Sequence, residues 1–566
     1  MLPKLNGAVA AGHTKTVEAG LEMLRLGGNA FDAAVAGVMT SFVVEPTLTS
    51  PAGGGFLLAH TQTGQNILFD FFTQTPQQKR DASLTEVDFY PVQVNFGTVL
   101  QEFHIGLGSV AVPGTIGGLL HVHRRLGRLP LATVAEPAIH YARAGVSMTE
   151  FQAYCFGLLR PILLANSGSR QVFAPTGDLP LAHSHFAMPD LADSLSYLVS
   201  EGAAGFYQGE IGRQLVQDCQ TQGGYLTWAD LQTYRVIERQ PLVSRYRGHT
   251  VLTNPPPSSG GALISFALAL LESVALPAFG TADHLALLAH VMQLTNLARS
   301  DGFDQNLYSP DVAAQFLAPD HLAIYRQQLL DGLGLSAKPA PQSYGQLEPK
   351  LEQSGLGHQP VNKWGSTTHL SAIDSEGNAA SVTTSNGEGS GYVIPGTGIM
   401  TNNMLGEADL HPHGFHNWQP DVRISSMMAP TMILRHDKPE IVLGSGGSNR
   451  IRTAILQVIS NLLDFGMPIE QAVSASRVHW EAGRFNLEPG LVERVAGQLI
   501  SSQTAAEPPN GPATSVLDSS QFPFNGDLEI WSQQNMFFGG VHAVSPIAER
   551  FAGAGDGRRH GVIGVV

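Results

Sequence analysis

Apolar residues recur at helical spacing from the start of the chain. Val17, Leu21 and Leu24 fall on one face of a repeat of about 3.6 residues, and Gly27-Gly28 closes the helix they predict. Asn29 stands where it caps a second helix, with Asp32 in the first turn, where the helix dipole favours a carboxylate. Phe31, Val35, Val38 and Phe42 form the apolar face of that helix, and Glu45-Pro46 stops it. Ser50-Pro51-Ala52-Gly53-Gly54-Gly55 is a loop that lets backbone approach something closely. Phe56 to Phe72 alternates apolar runs with turns and reads as two strands. Residues 106–260 mix helical stretches with turns. Pro255-Pro256-Pro257-Ser258-Ser259-Gly260-Gly261 then acts as rigid punctuation before a helix predicted to begin near Leu263.

Residues 335–366 change character. Ala337-Lys338-Pro339-Ala340-Pro341 is linker-like, and Glu352 to Gly365 is polar, glycine-bearing and weakly periodic. An exposed, mobile stretch of this kind suits a processing site, and equally an ordinary connection between domains. Strand patterns follow. Thr368 to Asp374 and Ala379 to Ser385 flank the turn Ser375-Glu376-Gly377-Asn378. A hairpin centred on Glu376 sets Thr367 opposite Ser385 at its open end, among Thr368, Thr383 and Thr384. A register slip of one residue would change that partner, and a Thr-rich strand face is also ordinary β-sheet composition.

Further on, Glu440-Ile441-Val442-Leu443 is an apolar strand that runs into Gly444-Ser445-Gly446-Gly447-Ser448-Asn449, with a helix from about Ile451. Successive small residues there expose backbone N–H groups, as in an anion nest or oxyanion hole, or simply make a tight strand-to-helix turn. Ser425-Ser426 puts two hydroxyls before another strand, placed to bond a carboxylate or to cap local backbone. Residues 500–526, rich in Ser, Pro, Asn and Ala, read as a surface excursion. The chain carries no internal repeat.

Composition narrows the classes. The 566 residues suffice for one very large domain or several ordinary ones, and 43% hydrophobic residues supply a sizeable core. Charged residues make up 14%, against about 25% in an average chain, and the net charge is −15. An acidic chain does not track phosphate backbones or anionic membrane surfaces, so no nucleic-acid or membrane partner is expected. The two cysteines, Cys155 and Cys219, cannot make a disulfide framework or a thiolate metal cage. No apolar run reaches the roughly 18 residues of a spanning helix, and the start lacks an apolar secretory stretch. A cytoplasmic location is the expectation, with a periplasmic or secreted one open if the start is mis-assigned. His411, His413 and His416 crowd one loop, but without a carboxylate or cysteine at matching spacing they read as a solvated loop, and no metal is expected. No P-loop, nucleophile elbow or H-E-x-x-H motif is present, and no cofactor is expected.

Several stretches carry a resemblance. They are Gly7-Ala8-Val9-Ala10-Ala11-Gly12-His13 through Gly27-Gly28-Asn29-Ala30-Phe31-Asp32, Val112-Pro113-Gly114-Thr115, Pro255 to Gly261, and Thr367-Thr368-His369 with Asp374 and Gly377-Asn378-Ala379. Asn402-Asn403, Ser425-Ser426-Met427 and Gly444-Ser445-Gly446-Gly447 complete the set. Any one is weak. Their order and spacing together resemble the γ-glutamyltranspeptidase family of N-terminal-nucleophile hydrolases over almost the whole chain.

The resemblance implies an α+β fold, a four-layer αββα sandwich built jointly by two autoproteolytic fragments. The cut falls between Ser366 and Thr367, giving a large fragment 1–366 and a small fragment 367–566 that stay together as one intertwined heterodimer. The chemistry explains the threonine. A hydroxyl is a weak nucleophile that needs a base. Freeing the α-amine of Thr367, with an ordinary pKa of about 7.7–8.0, supplies that base on the same residue. Ser385 then orients Thr367, and the N–H groups of Gly447 and Ser448 stabilise the oxyanion. The acyl group passes to water or to an amino acid or peptide amine.

The substrate pocket departs from the family pattern. Members that grip the glutamyl α-carboxylate carry Arg in D-F-R-E-T, where this chain reads Asp70-Phe71-Phe72-Thr73-Gln74. Phe72 cannot replace a bidentate Arg contact. Met404 replaces a polar residue after Asn402-Asn403, and Glu407 stands where the acid that grips the α-amine is usually Asp. Asn386, Ser425 and Ser426 keep the pattern as further substrate contacts, and Arg80 and Arg423 are candidates to replace the lost cation. The leading expectation is turnover of γ-glutamyl amides such as glutathione. The alternatives are a same-fold amidase for a less polar acyl group and, in another class, a non-catalytic scaffold.

Overall fold

The hydrophobic pattern resolves into two facing β-sheets wrapped by helices. A computed structural model describes residues 5–80, 86–95, 100–335, 365–411, 414–491, 527–547 and 550–566. Seven strands form the first sheet in the order Val562–Val565, Gly7–Ala11, Thr368–Asp374, Ala379–Ser385, Gly54–His60, Asn66–Phe71 and Ile237–Arg239. Six form the second, in the order Arg550–Ala554, Gly540–Ile547, Lys438–Gly446, Thr431–Arg435, His249–Thr253 and Leu242–Tyr246. The two sheets pack face to face, and hydroxyls stitch them. Ser371 Oγ donates to the carbonyl of His542 at 3.1 Å, and Ser381 Oγ to that of Leu443 at 2.8 Å.

Alternation along each strand divides the core. In Gly7–Ala11, Val9 and Ala11 face the outer helices while Ala8 and Ala10 face the second sheet. In Gly54–His60, Leu57 and Ala59 point outward and Phe56 and Leu58 inward. Helices Thr14–Arg25 and Ala30–Val44 cover the first sheet, and Gly260–Glu272 and Arg450–Leu463 cover the second. The result is the four-layer αββα sandwich that the resemblance implied. Asn29 Oδ1 accepts from the Phe31 and Asp32 N–H groups at 2.9 and 3.0 Å, and Asp32 Oδ2 accepts from the Asn29 N–H at 2.9 Å, a complete capping box.

The chain halves interleave. Gly7–Ala11 lies between Val562–Val565 and Thr368–Asp374, and Ala379–Ser385 pairs with Gly54–His60. A break before Thr367 would leave both pieces threaded through one sheet.

Two local expectations need correction. The helix expected near Leu263 begins at Gly260. Its glycines serve close packing rather than punctuation, because a Cβ at Gly260 would collide with the Met427 carbonyl and one at Gly261 with that of Asn254. His411 is not solvated: it is buried, with Nε2 2.9 Å from the Met404 carbonyl, and burial pushes its pKa down to about 4. Met1 to Lys4, most of the linker-like stretch (336–364), Pro412 and His413, and the excursion 500–526 lie outside the described residues. Among the described residues no helix is long and apolar enough to cross a membrane, and no cluster of three metal-ligating side chains occurs.

Candidate active site

The hairpin fixes the site. Thr368–Asp374 pairs antiparallel with Ala379–Ser385, and Thr368 faces Thr384, the register expected from a turn centred on Glu376. Thr367 and Ser385 therefore meet at the open end. The Gly365-Ser366-Thr367 backbone is held there by several groups. Ser385 Oγ donates to the Ser366 carbonyl at 2.6 Å. Arg559 donates to the carbonyls on either side, Gly365 at 2.9 Å and Thr367 at 3.2 Å. The Ser366 N–H points to Glu388 Oε1 at 3.4 Å.

The glycine-rich loop after Lys438–Gly446 packs on the same three residues. A Cβ at Gly365 would collide with the Ser448 nitrogen, and one at Gly446 with the Thr367 carbonyl. Only glycine admits both approaches. Gly447 and Ser448 adopt φ of 128° and 50°. Their N–H groups find no acceptor among the described residues, and helix Arg450–Leu463 starts just beyond them. Unpaired donors beside a helix N-terminus suit an anion or a developing oxyanion. Ser448 Oγ donates to Asp409 Oδ2 at 3.1 Å.

Behind the threonine lies a buried polar layer. Thr368 Oγ1 donates to Glu45 Oε1 at 3.0 Å, and Thr16 Oγ1 to Glu45 Oε2 at 3.4 Å. Burial pushes the Glu45 carboxyl up to about 7 and the Arg559 guanidinium down to about 10. His369 is no base for the threonine. Its nitrogens are occupied by Thr383 Oγ1 at 2.8 Å and Ser371 Oγ at 2.9 Å, and burial holds its pKa well below the ordinary range.

A cleft of about 650 Å³, open to solvent, lies over Thr367. Phe72, Ser366, Ser385, Glu407, Ser425, Ser426 and Ser448 all line it, as does Met404. Glu407 accepts from Asn403 Nδ2 at 2.8 Å. The Ser425-Ser426 segment is braced by Pro255–Gly261, where Ser258 Oγ and Ser259 N donate to the Ser426 carbonyl at 2.8 and 2.9 Å. Ser426 Oγ also accepts the Met428 N–H at 3.0 Å, so one of the two hydroxyls caps backbone as well as facing the cleft.

Other residues sit elsewhere. Asn386 does not line the cleft. Its amide donates to the carbonyls of Thr401 and Met400 at 3.2 and 3.4 Å, and Gly387 and Glu388 form the wall instead. Gly447 is not among the residues that line the cleft, although Ser448 beside it is. Neither arginine named as a replacement cation reaches the cleft. Arg80 is tied to the carbonyls of Gly224, Gln220 and Cys219 at 3.0, 3.2 and 3.3 Å. Arg423 is buried beneath position 72, donating to the Phe72 carbonyl at 2.8 Å and to that of Arg235 at 2.6 Å, with Asp70 3.3 Å away. Sequence reasoning missed Arg299, Glu388 and Asp409, which line the same cleft. Glu388 carried a signal in Asn386-Gly387-Glu388-Gly389, whose glycines at φ of 59° and 87° turn the chain beside the hairpin end. Arg299 carried none.

A sequence model described as Gamma-glutamyltranspeptidase matches residues 16–566. The chain belongs to the γ-glutamyltranspeptidase family. Among the relatives, it is 31% identical over 499 residues to Acylase ACY 1 proenzyme of Pseudomonas sp. (strain SE83), covering 88% of this chain and 86% of that protein. It is also 31% identical over 506 residues to the Glutathione hydrolase proenzyme of Escherichia coli (strain K12), covering 86% and 83%. In fold it resembles a cephalosporin acylase from Bacillus halodurans, with a TM-score of 0.77 at 23% identity, covering 99% of this chain and 96% of that one. Against the γ-glutamyltranspeptidase pattern, Phe72 stacks on Phe56 at 5.4 Å, so an aromatic wall stands where the pattern has a guanidinium.

Proposed function

We propose that this chain is a self-cleaving amidohydrolase that forms an acyl-enzyme on Thr367 from γ-glutamyl-type amides such as glutathione. The observation that carries the proposal is the 2.6 Å hydrogen bond from Ser385 Oγ to the Ser366 carbonyl. It marks one peptide bond, the bond preceding the threonine, as polarised.

In the intact chain, Thr367 Oγ attacks the Ser366 carbonyl carbon. Negative charge then develops on the oxygen that Ser385 already contacts, and charge strengthens that bond. The C–N bond breaks, the hydroxyl proton ends on the departing nitrogen, and an ester links Ser366 to the Thr367 side chain. Water cleaves the ester and leaves Thr367 with a free α-amine. That amine takes the hydroxyl proton in each later turnover, and the N–H groups of Gly447 and Ser448 receive the substrate oxyanion. Fragments 1–366 and 367–566 remain together because their strands interleave in one sheet. The "proenzyme" in the relatives' names supports a maturation step.

A second reading is favoured by a specific feature. Phe72 and Met404 line the cleft, and an acyl group less polar than γ-glutamyl packs against them. Comparing γ-glutamyl, glutaryl and butyryl 4-nitroanilides on the purified, self-cleaved protein separates the readings. Turnover greatest on the γ-glutamyl compound supports the first, and turnover greatest on the butyryl compound supports the second. A chain that stays uncut and turns over none refutes both and leaves the scaffold.

A further inference from the structure

The cleft has lost the cation at position 72, yet one guanidinium still lines it. Arg299 follows directly on helix Ala282–Ala298 and opens a short turn that ends beyond Gly302, whose φ is 129°. Its side chain is 22% exposed. Both carboxylate oxygens of Asp304 accept from its Nε, at 3.0 and 2.8 Å. Neither Nη has a hydrogen-bond partner among the described residues, so one edge of the guanidinium is anchored and the other is free to bond a ligand, on a residue that lines the cleft.

The turn is pinned from two sides. Tyr325 Oη donates to Asp301 Oδ2 at 2.9 Å. Tyr308 Oη donates to the Arg423 carbonyl at 3.1 Å, two residues before Ser425. The segment just after the turn is thereby tied to the chain just before Ser425-Ser426, and Arg299, Glu407, Ser425 and Ser426 all line the one cleft. A fork of N–H donors in a cleft that also holds the Ser425 and Ser426 side chains matches a carboxylate, whereas a neutral alkyl chain gains nothing from it.

We propose that Arg299 selects acyl donors that end in a carboxylate, taking over from another element the task that position 72 has lost. The proposal rests on the acyl-enzyme reading above and narrows it to acyl groups such as γ-glutamyl and glutaryl. Arg299 contacts the far end of the acyl group, not the reacting atoms, so it is a specificity residue.

The test compares glutaryl and butyryl 4-nitroanilides, which differ in the terminal carboxylate. The self-cleaved wild-type protein should favour the glutaryl compound in kcat/KM. Arg299→Gln should lower that ratio by about 10- to 100-fold, mostly through KM, the range expected for losing a charged hydrogen bond. Arg299→Lys, which keeps the charge and loses the fork, should fall between. In wild type, free glutarate should inhibit at a concentration at least about tenfold below that of butyrate, a comparison that needs no variant to fold. A ratio within twofold of wild type in Arg299→Gln, or equal inhibition by the two acids, overturns the role of Arg299 while leaving the acyl-enzyme intact. No turnover of any anilide by self-cleaved wild type overturns the acyl-enzyme reading, and this inference with it.

Discussion

Ser385→Ala removes the hydroxyl that donates to the Ser366 carbonyl at 2.6 Å. If self-cleavage passes through an oxyanion on that oxygen, the lost donor is an oxyanion-hole donor. Such a loss raises a barrier by about 2.7–4 kcal/mol, or about 10²- to 10³-fold in rate. Ser385 Oγ also accepts the Gly387 N–H at 3.1 Å, so the variant leaves that donor unmade at a cost of roughly 1–3 kcal/mol of stability. The two effects separate experimentally. Precursor is expressed, samples are taken over hours, and the fraction cut before Thr367 is read on a denaturing gel, with melting temperature measured alongside. The expected result is precursor that accumulates as a folded chain, with Ser385→Thr restoring cleavage. Folded Ser385→Ala precursor that cuts at the wild-type rate would refute the reasoning, because the hydrogen bond would then have no part in the reaction.

Gly365→Ala puts a methyl into the Ser448 nitrogen, displacing the strand that presents Ser366, and should slow self-cleavage at least about tenfold in the same gel assay. Glu45 gives a pH signature: its folded pKa of about 7 lies above the usual 4.5, so its contribution is fully present below about 4.5 and is lost as pH rises through 7. Glu45→Gln, which keeps an acceptor for Thr368, should therefore gain on wild type between pH 5 and 8 by roughly 3 kcal/mol at most; a pH-independent difference in melting temperature contradicts this. Phe72→Arg restores a cation at position 72 and should raise the ratio of γ-glutamyl to butyryl anilide turnover. It should also lower the melting temperature, because Phe72 is 1% exposed and stacked on Phe56.

Features set by local chemistry were legible in the chain. The capping box at Asn29 and the hairpin register around Glu376 depend on residues a few positions apart, and both stand as the pattern indicated. Features set by tertiary packing were not. Gly260 looks like punctuation until the Met427 carbonyl is seen against it. Asn386 sits next to Ser385, yet its side chain is claimed by the carbonyls of residues 400 and 401, a contact that no spacing reveals. Arg423 is close in sequence to Ser425 but is drawn inward by Asp70 and the Tyr234 ring, 4.7 Å away. Arg299 reaches the cleft from a turn 68 positions before Thr367 in the chain, and only the fold brings the two together.

The central claim is that the bond between Ser366 and Thr367 opens by itself and that the freed threonine does the work. N-terminal sequencing of the smaller species in freshly purified, protease-free material tests it directly. The account predicts a chain beginning Thr367-Thr368-His369 in wild type and no such species in Thr367→Ala. Anilide turnover by a chain still continuous through residue 367 would contradict it.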